Sequence, residues 1–341
     1  WVGQQDADKL WDLSEAALAL LRERVAQHQI DCDLSWGYIH AAEKDSHLVD
    51  CRDTFEEWSA LGVEGLQVWR PDQIQERVAS PRYIGALYDP GSGHLHPLKY
   101  ALGLARAAEG AGATIAENSR VETLEGYDQN GPVRVALDSG AVVTATHVLL
   151  AGNAYLKGVA QEIEGYVMPV GTHVVATEVL GENMARSLIP ENEAVCDLHF
   201  VLNYYRRAPD DRLLFGGRVS YSGYELPDVT KQVARKMQRV FPQLRGTTID
   251  YSWGGFVGIT AKRLPHLGKI GPNTFFAHGF SGHGVVLTGM AGRVMADAIA
   301  GMAERFDLMA KIPHQQFPGG RLLRTPALVL AMAWYRLRDL L

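Results

Sequence analysis

The residues best placed to do chemistry run from His278 to Gly284, HGFSGHG, with Gly279, Gly282 and Gly284 in seven positions. Ahead of them stands Thr274–Ala277, a short β-branched and aromatic run of the kind that makes a buried strand. Behind them Val286, Met290, Val294 and Ala298 fall four apart, with Leu287 and Ala291 alongside, the apolar stripe of a helix lying on a sheet. A strand that turns through glycines into a helix points unpaired N–H groups and the positive end of the helix dipole at whatever lies above the turn. Two readings fit that spacing: an ordinary tight βα loop, or a cradle for an electron-rich cofactor.

The elements around the turn are of two textures. Trp36–Ala42, Tyr83–Tyr88 (ending at Asp89-Pro90), Ala113–Glu117, Arg120–Glu125, and the hairpin Val133–Leu137/Val142–Thr146 around Asp138-Ser139-Gly140 read as strands. His147–Ala151 is apolar after its first residue and ends at Gly152-Asn153, as a buried strand delivering a loop to a sheet edge does. Helices are expected from Asp6 or Asp8 to about Gln29 with Trp11, Leu18, Leu21 and Val25 inward, over His47–Leu61, from Pro71, and from Pro97 to Gly110 with Leu98, Ala101, Leu102, Ala105 and Ala108 inward. The last of these, followed by a strand, reads as half of a βαβ unit. Then Val167–Val179, Phe200–Arg207, Arg212–Val219 and Thr247–Trp253 give a mostly antiparallel layer. Its one long helix is capped at Asp228 and turns Val229, Val233, Met237 and Val240 inward. This predicts an α/β (mixed α+β) fold with two interleaved domains.

Composition narrows the class. The 341 residues are 47% hydrophobic and 21% charged, enough for a large core. With 33 basic and 39 acidic residues and no basic run, nucleic acid is not an expected partner. Cys32, Cys51 and Cys196 lie far apart and make no metal spacing, which suits a reducing, cytoplasmic home. No apolar stretch reaches the ~20 residues of a membrane span. Pro326–Tyr335 reads as a docked or interfacial terminal helix. No G-x-S-x-G, H-E-x-x-H or Walker loop occurs, and the His94/His96 pair has no acidic or cysteine company, so no metal site is expected.

Three stretches in order carry a resemblance: SRVETLEGY with HVLLAGNAYL, WGGFVGITAKRLPHLGKIG, and FFAHGFSGHGVVLTG. Together they resemble the FAD-dependent amine and amino-acid oxidases of the D-amino-acid oxidase, glycine oxidase and sarcosine oxidase family. Asp31-Cys32-Asp33 and the C-terminal FPGGRLLRTPALVLAMAWYRLRD look like its gamma-glutamylputrescine oxidase branch. The resemblance implies a Rossmann-like FAD domain at 97–160 and 264–312, a substrate domain at 1–96 and 161–263, and a docking tail at 313–341.

By the same resemblance, Val121 meets the adenine through its backbone, Ala151-Gly152 lies along the dinucleotide, and Gly279, Phe280, Ser281, Gly282, His283, Gly284 and Val285 face the flavin ring. The family's G-x-G-x-x-G unit does not precede Trp1, and the chain opens WVGQQDADKL without a methionine. The expectation is that roughly 30 or more residues of a first βαβ unit are absent. A second departure is Val257, which stands where glycine oxidase-like members carry the arginine that pairs with a substrate carboxylate; Arg263, six residues on, is a displaced alternative.

The reaction implied is oxidation of an amine C–N bond of a gamma-glutamylputrescine-like substrate, with O2 as acceptor and H2O2 as product. Alternatives are an amino-acid oxidase or dehydrogenase, and a truncated, non-catalytic remnant. Tyr204, Tyr205, Trp253, Phe256 and Phe280 are expected to supply the pocket wall, about two of the five touching substrate and the rest core. His283 is a hydrogen-bonding group for flavin or substrate, or a turn residue; Lys262 is a cation for oxygen activation, or a solvated loop lysine.

Overall fold

Strands of two textures dominate the chain, and they build separate sheets. In the computed structural model, residues 2–199, 201–220 and 228–318 are described, so the Pro326–Tyr335 helix lies outside the described residues, as does all of the tail after 318. The first part of the chain gives α1 (Gln4–Gln27), β1 (Ser35–Ala42), α2 (Asp45–Ala60), β2 (Gln67–Trp69), α3 (Pro71–Arg77) and β3 (Gly85–His94). Next come α4 (Pro97–Gly110), β4 (Val121–Glu125), β5 (Val133–Leu137), β6 (Val142–Ala145), β7 (Val148–Leu150) and the short α5 (Gln161–Glu164). The long middle holds β8 (Met168–Thr177), α6 (Glu182–Leu188), β9 (Ala194–Asp197), β10 (Tyr204–Arg207), β11 (Leu213–Ser220), α7 (Val229–Val240) and β12 (Ile249–Ile259). The end supplies β13 (His266–Lys269), β14 (Thr274–His278), α8 (Gly284–Ile299) and α9 (Glu304–Ala310).

The large sheet runs β12-β8-β11-β10-β9-β1-β3-β2 and is antiparallel except where β1 meets β9. One face packs on α7. There Ile39, Val175, Val195, Tyr205, Phe215, Val233, Met237 and Val240 form a buried core, each fully buried aliphatic or aromatic side chain contributing about 2 kcal/mol. A second sheet, β13-β14-β7, contains a parallel β14–β7 pair, and α8 packs beside it with α1. The mixed α/β architecture is therefore as expected from sequence.

Several local expectations are corrected. Strand β4 pairs antiparallel with β5 in a third sheet, β4-β5-β6, so α4 and β4 do not extend the parallel pair. Residues Ala113–Glu117 form no strand. Strand β3 runs past Pro90 because the β1–β3 register slips between Trp36 and Tyr38, and Pro90 falls in that irregular stretch where no ladder N–H is needed. Helix α1 buries Leu13, Ala17 and Leu21 and begins at Gln4 with no side-chain cap. Helix α4 turns its expected face outward: Tyr100 and Gly103 are buried, while Leu98 and Leu102 are 62% and 50% exposed. Close approach explains this, since Gly103 lies directly against the Ile30 side chain. Among the described residues no helix is long and apolar enough to cross a membrane.

Candidate active site

Strand β14 is buried along its whole length and delivers Gly279 at its end. Gly279 has φ +73°, and a Cβ there would stand 2.3 Å from Thr260 Cγ2, so conformation and space both require glycine. Its N–H donates to Asn153 Oδ1 at 2.8 Å, from the loop after β7. Ser281 N–H donates to the Gly258 carbonyl at 2.8 Å, and Ile259 bridges Phe280. The end of β12 thus clips the glycine turn to the large sheet, which explains why the W-G-G-F-V-G-I-T string and the turn belong together. Tyr155 completes the clip, its hydroxyl accepting the Phe256 N–H at 2.9 Å while its ring meets the Phe256 ring edge-on.

Beyond Ser281 the turn opens. Gly282 is exposed, has φ +93°, and has nothing within 4 Å of where a Cβ would be. Helix α8 starts at Gly284 with no side-chain cap, so no capping side chain takes its first-turn N–H groups or offsets its dipole. His283 stands exposed at that cap position. A donor set of backbone N–H groups around an uncrowded glycine suits the electron-rich edge of a flavin.

Opposite the turn lies the second face of the large sheet. Register places Leu87, His40, Cys196, Tyr204, Gly216, Val174 and Trp253 in one row across seven strands, β3-β1-β9-β10-β11-β8-β12. Tyr38 and Asp89 sit in the next row, directly paired. His40 Nδ1 is 3.6 Å from Cys196 Sγ, and the Tyr38 ring is 4.8 Å from the His40 ring. Burial lowers the pKa of His40; Asp89 pulls the other way, and His283 is near enough to oppose protonation further. Burial also raises Tyr38 and Tyr204, and it raises Cys196 to about 12. At neutral pH this face therefore carries neutral His40, Tyr38, Tyr204 and Cys196.

The residues singled out from sequence divide. Tyr204 lies on this face. Tyr205, its neighbour, points the other way; it is 3% exposed, hydrogen-bonds Tyr83 at 2.8 Å and stacks on Phe215. Phe280 is also core, 6% exposed and packed with Met290 and Phe275. Trp253 and Phe256 are exposed on β12, and Val257 is half-buried opposite Val170. Lys262 and Arg263 occupy the turn after β12, Arg263 in a left-handed conformation, and the charge of Lys262 reaches His314. Val121 opens β4 against the Leu124–Val133 cluster; Ala151 and Gly152 are exposed after β7. His94 and His96 diverge: His94 Nε2 meets the Asn192 carbonyl and His96 caps α4.

Sequence reasoning missed Asn153, Tyr155, His40, Tyr38 and Asp89. Gly152-Asn153 after a buried strand was a usable cue for the first; the others emerge only from sheet register. A cavity of about 50 Å3 behind Asn153, reached by Lys157 and His278, has room for a few waters only.

A family profile described as FAD dependent oxidoreductase matches residues 1–298. The chain is 42% identical over 321 residues to gamma-glutamylputrescine oxidoreductase of Escherichia coli (strain K12), covering 94% of this chain and 74% of that protein. It is 27% identical over 300 residues to glycine oxidase of Geobacillus kaustophilus, covering 84% of this chain and 75% of that one. The crystal structure of the Geobacillus kaustophilus glycine oxidase superposes with a TM-score of 0.73 at 22% identity, covering 88% of this chain and 80% of that chain.

Proposed function

This chain belongs to the FAD-dependent oxidoreductase family, and we propose from that premise that it oxidises an amine C–N bond of a gamma-glutamylputrescine-like substrate, with O2 as acceptor and H2O2 as product. The observation that carries the reading is the open glycine turn at the α8 N-terminus, with the His40, Tyr38 and Tyr204 side of the large sheet close to His283. Residues Gly279–Val285 would hold the flavin ring, with Ala151, Gly152 and Val121 along the rest of FAD. The domain division at 97–160 with 264–312, against 1–96 with 161–263, is part of this reading.

Bound there, FAD supplies the hydride acceptor. The chain's own residues supply position and surroundings. First-turn N–H groups of α8 favour negative charge above the turn. His40, Tyr38 and Tyr204 present uncharged hydrogen-bonding atoms beside the Asp89 carboxyl group, and desolvation of a bound amine favours its neutral form over the ammonium. The amine must be neutral for its lone pair to assist loss of hydride from the adjacent carbon. Tyr155 and Phe256 meet edge-on beside the glycine turn, and Trp253 lies on the sheet face that carries Tyr204. His283 is placed to hydrogen-bond flavin or substrate.

The relative of known name supports the substrate, and Val257 agrees, because an apolar side chain there cannot take the carboxylate of an α-amino acid next to the reacting carbon. The test is peroxide release by the FAD-loaded protein. Gamma-glutamylputrescine should give peroxide and glycine or sarcosine should not; the reverse pattern contradicts the substrate assignment.

A further inference from the structure

Arg206 follows Tyr204 by two residues on β10, so alternation puts both side chains on the face that looks towards the α8 turn. It is part-buried, yet its hydrogen bonds go to carbonyls alone: Nη1 to Arg207 at 3.0 Å and Nη2 to Leu95 at 3.5 Å. Among the described residues no carboxylate pairs with it, whereas the guanidinium groups of Arg77, Arg82 and Arg212 all have one. A desolvated guanidinium with no anion is a costly arrangement unless an anion arrives.

Asp33 is the acid whose charge reaches Arg206. Its Oδ1 takes Lys99 Nζ at 2.8 Å, while its Oδ2 is buried with no hydrogen-bond partner. The corner is closed by Leu95 and Cys32, which share an apolar cluster with Val286 in the first turn of α8. His94, also near Arg206, is held at about 4 by burial and adds no charge. Arg206, Lys99 and Asp33 therefore leave one unmatched positive charge beside one unmatched acceptor.

We propose that Arg206 and Asp33 form a subsite for an α-amino-acid head group at the far end of the amine substrate, Arg206 taking the carboxylate and Asp33 Oδ2 the ammonium. The carboxylate that Val257 cannot hold beside the reacting carbon is held here instead, remote from it. This rests on the amine-oxidase reading above, and the test separates the two.

The probe is gamma-glutamyl-n-butylamide, which keeps the head group and lacks the reacting amine. Calorimetry on the FAD-loaded protein should show about tenfold or greater weakening when its carboxylate becomes a carboxamide, or when its ammonium is removed. Arg206→Met should abolish discrimination between carboxylate and carboxamide, Arg206→Lys should restore part of it, and Asp33→Asn, which tolerates the left-handed backbone at that position, should abolish discrimination by the ammonium. In turnover, the kcat/KM ratio of gamma-glutamylputrescine to N-acetylputrescine should fall about tenfold in Arg206→Met, through KM. Should that variant misfold, the comparison of probes on the unaltered protein still decides. Equal affinity for carboxylate and carboxamide there, or a variant that still discriminates, overturns the subsite. Head-group binding without oxidation of any amine overturns the oxidase reading and leaves the subsite standing.

Discussion

Asn153 is the residue on which the glycine turn hangs, because its side-chain oxygen takes the one N–H that Gly279 offers to a half-buried corner. Asn153→Ala leaves that donor unsatisfied, and we expect a loss of about 1–3 kcal/mol together with weaker retention of FAD through gel filtration. Unchanged melting and full flavin retention would remove Asn153 from the site. Adjacent tyrosines make a sharper test of which face matters. Tyr205→Phe strands the Tyr83 hydroxyl in the α7-side core and should cost about 1–3 kcal/mol in urea unfolding with turnover kept. Tyr204→Phe should instead lower kcat/KM with little change in stability. Strand alternation makes one member of any Tyr-Tyr pair core; sequence alone could not say which, since the deciding fact is that α7 covers Tyr205, 24 residues before the helix starts.

At the scale of elements, β12 does most to assemble the site. It lies along the whole of β8, and its last residues bond the glycine turn. Its role is readable in part, because the W-G-G-F-V-G-I-T string stands out in the sequence. Strand β9 was not readable: Ala194–Asp197 is four residues long, too short for a period, yet it joins the two halves of the large sheet as the parallel neighbour of β1. Helix α4 misled for a different reason. Its leucine face is the more apolar, but Gly103 allows the tighter approach to Ile30, and packing distance outweighs apolarity. The inward face of helix α7 read correctly, since Val233, Met237 and Val240 fall on one face and all are buried, but Asp228 is left-handed and makes no side-chain cap. Met237→Ala should cost about 2–5 kcal/mol through the cavity it leaves, measured as a fall in the urea midpoint; a loss below about 1 kcal/mol would contradict this core.

Across the whole molecule, buried neutral histidines set the pH response. Burial pushes His266 to about 3 and His278 and His94 to about 4, against an ordinary value of 6.5. Between those limits the unfolded chain binds protons that the folded chain refuses. The contribution of these histidines to stability is therefore full above about pH 6.5 and falls as pH drops towards 4, while His199, raised by its hydrogen bond to Glu43, acts in the opposite sense. Glu43 adds to the acid side: burial works against its charge, but hydrogen bonds from His199 and Arg82 prevail and hold it at about 2. The urea midpoint should be lower at about pH 5 than at about pH 7; equal midpoints would refute the buried-neutral assignment. Fold class and the turn were legible because glycine spacing and apolar period are local. The neutral face of His40, Tyr38 and Tyr204 was not, because it is assembled from strands more than 150 residues apart and exists only through register. The proposed reaction needs that face and the turn together, so the most direct measurement is anaerobic mixing of the FAD-loaded protein with gamma-glutamylputrescine while the flavin absorbance is followed. Bleaching of the oxidised flavin band is the predicted result; a band that persists with this amine but bleaches with glycine or sarcosine would contradict the account.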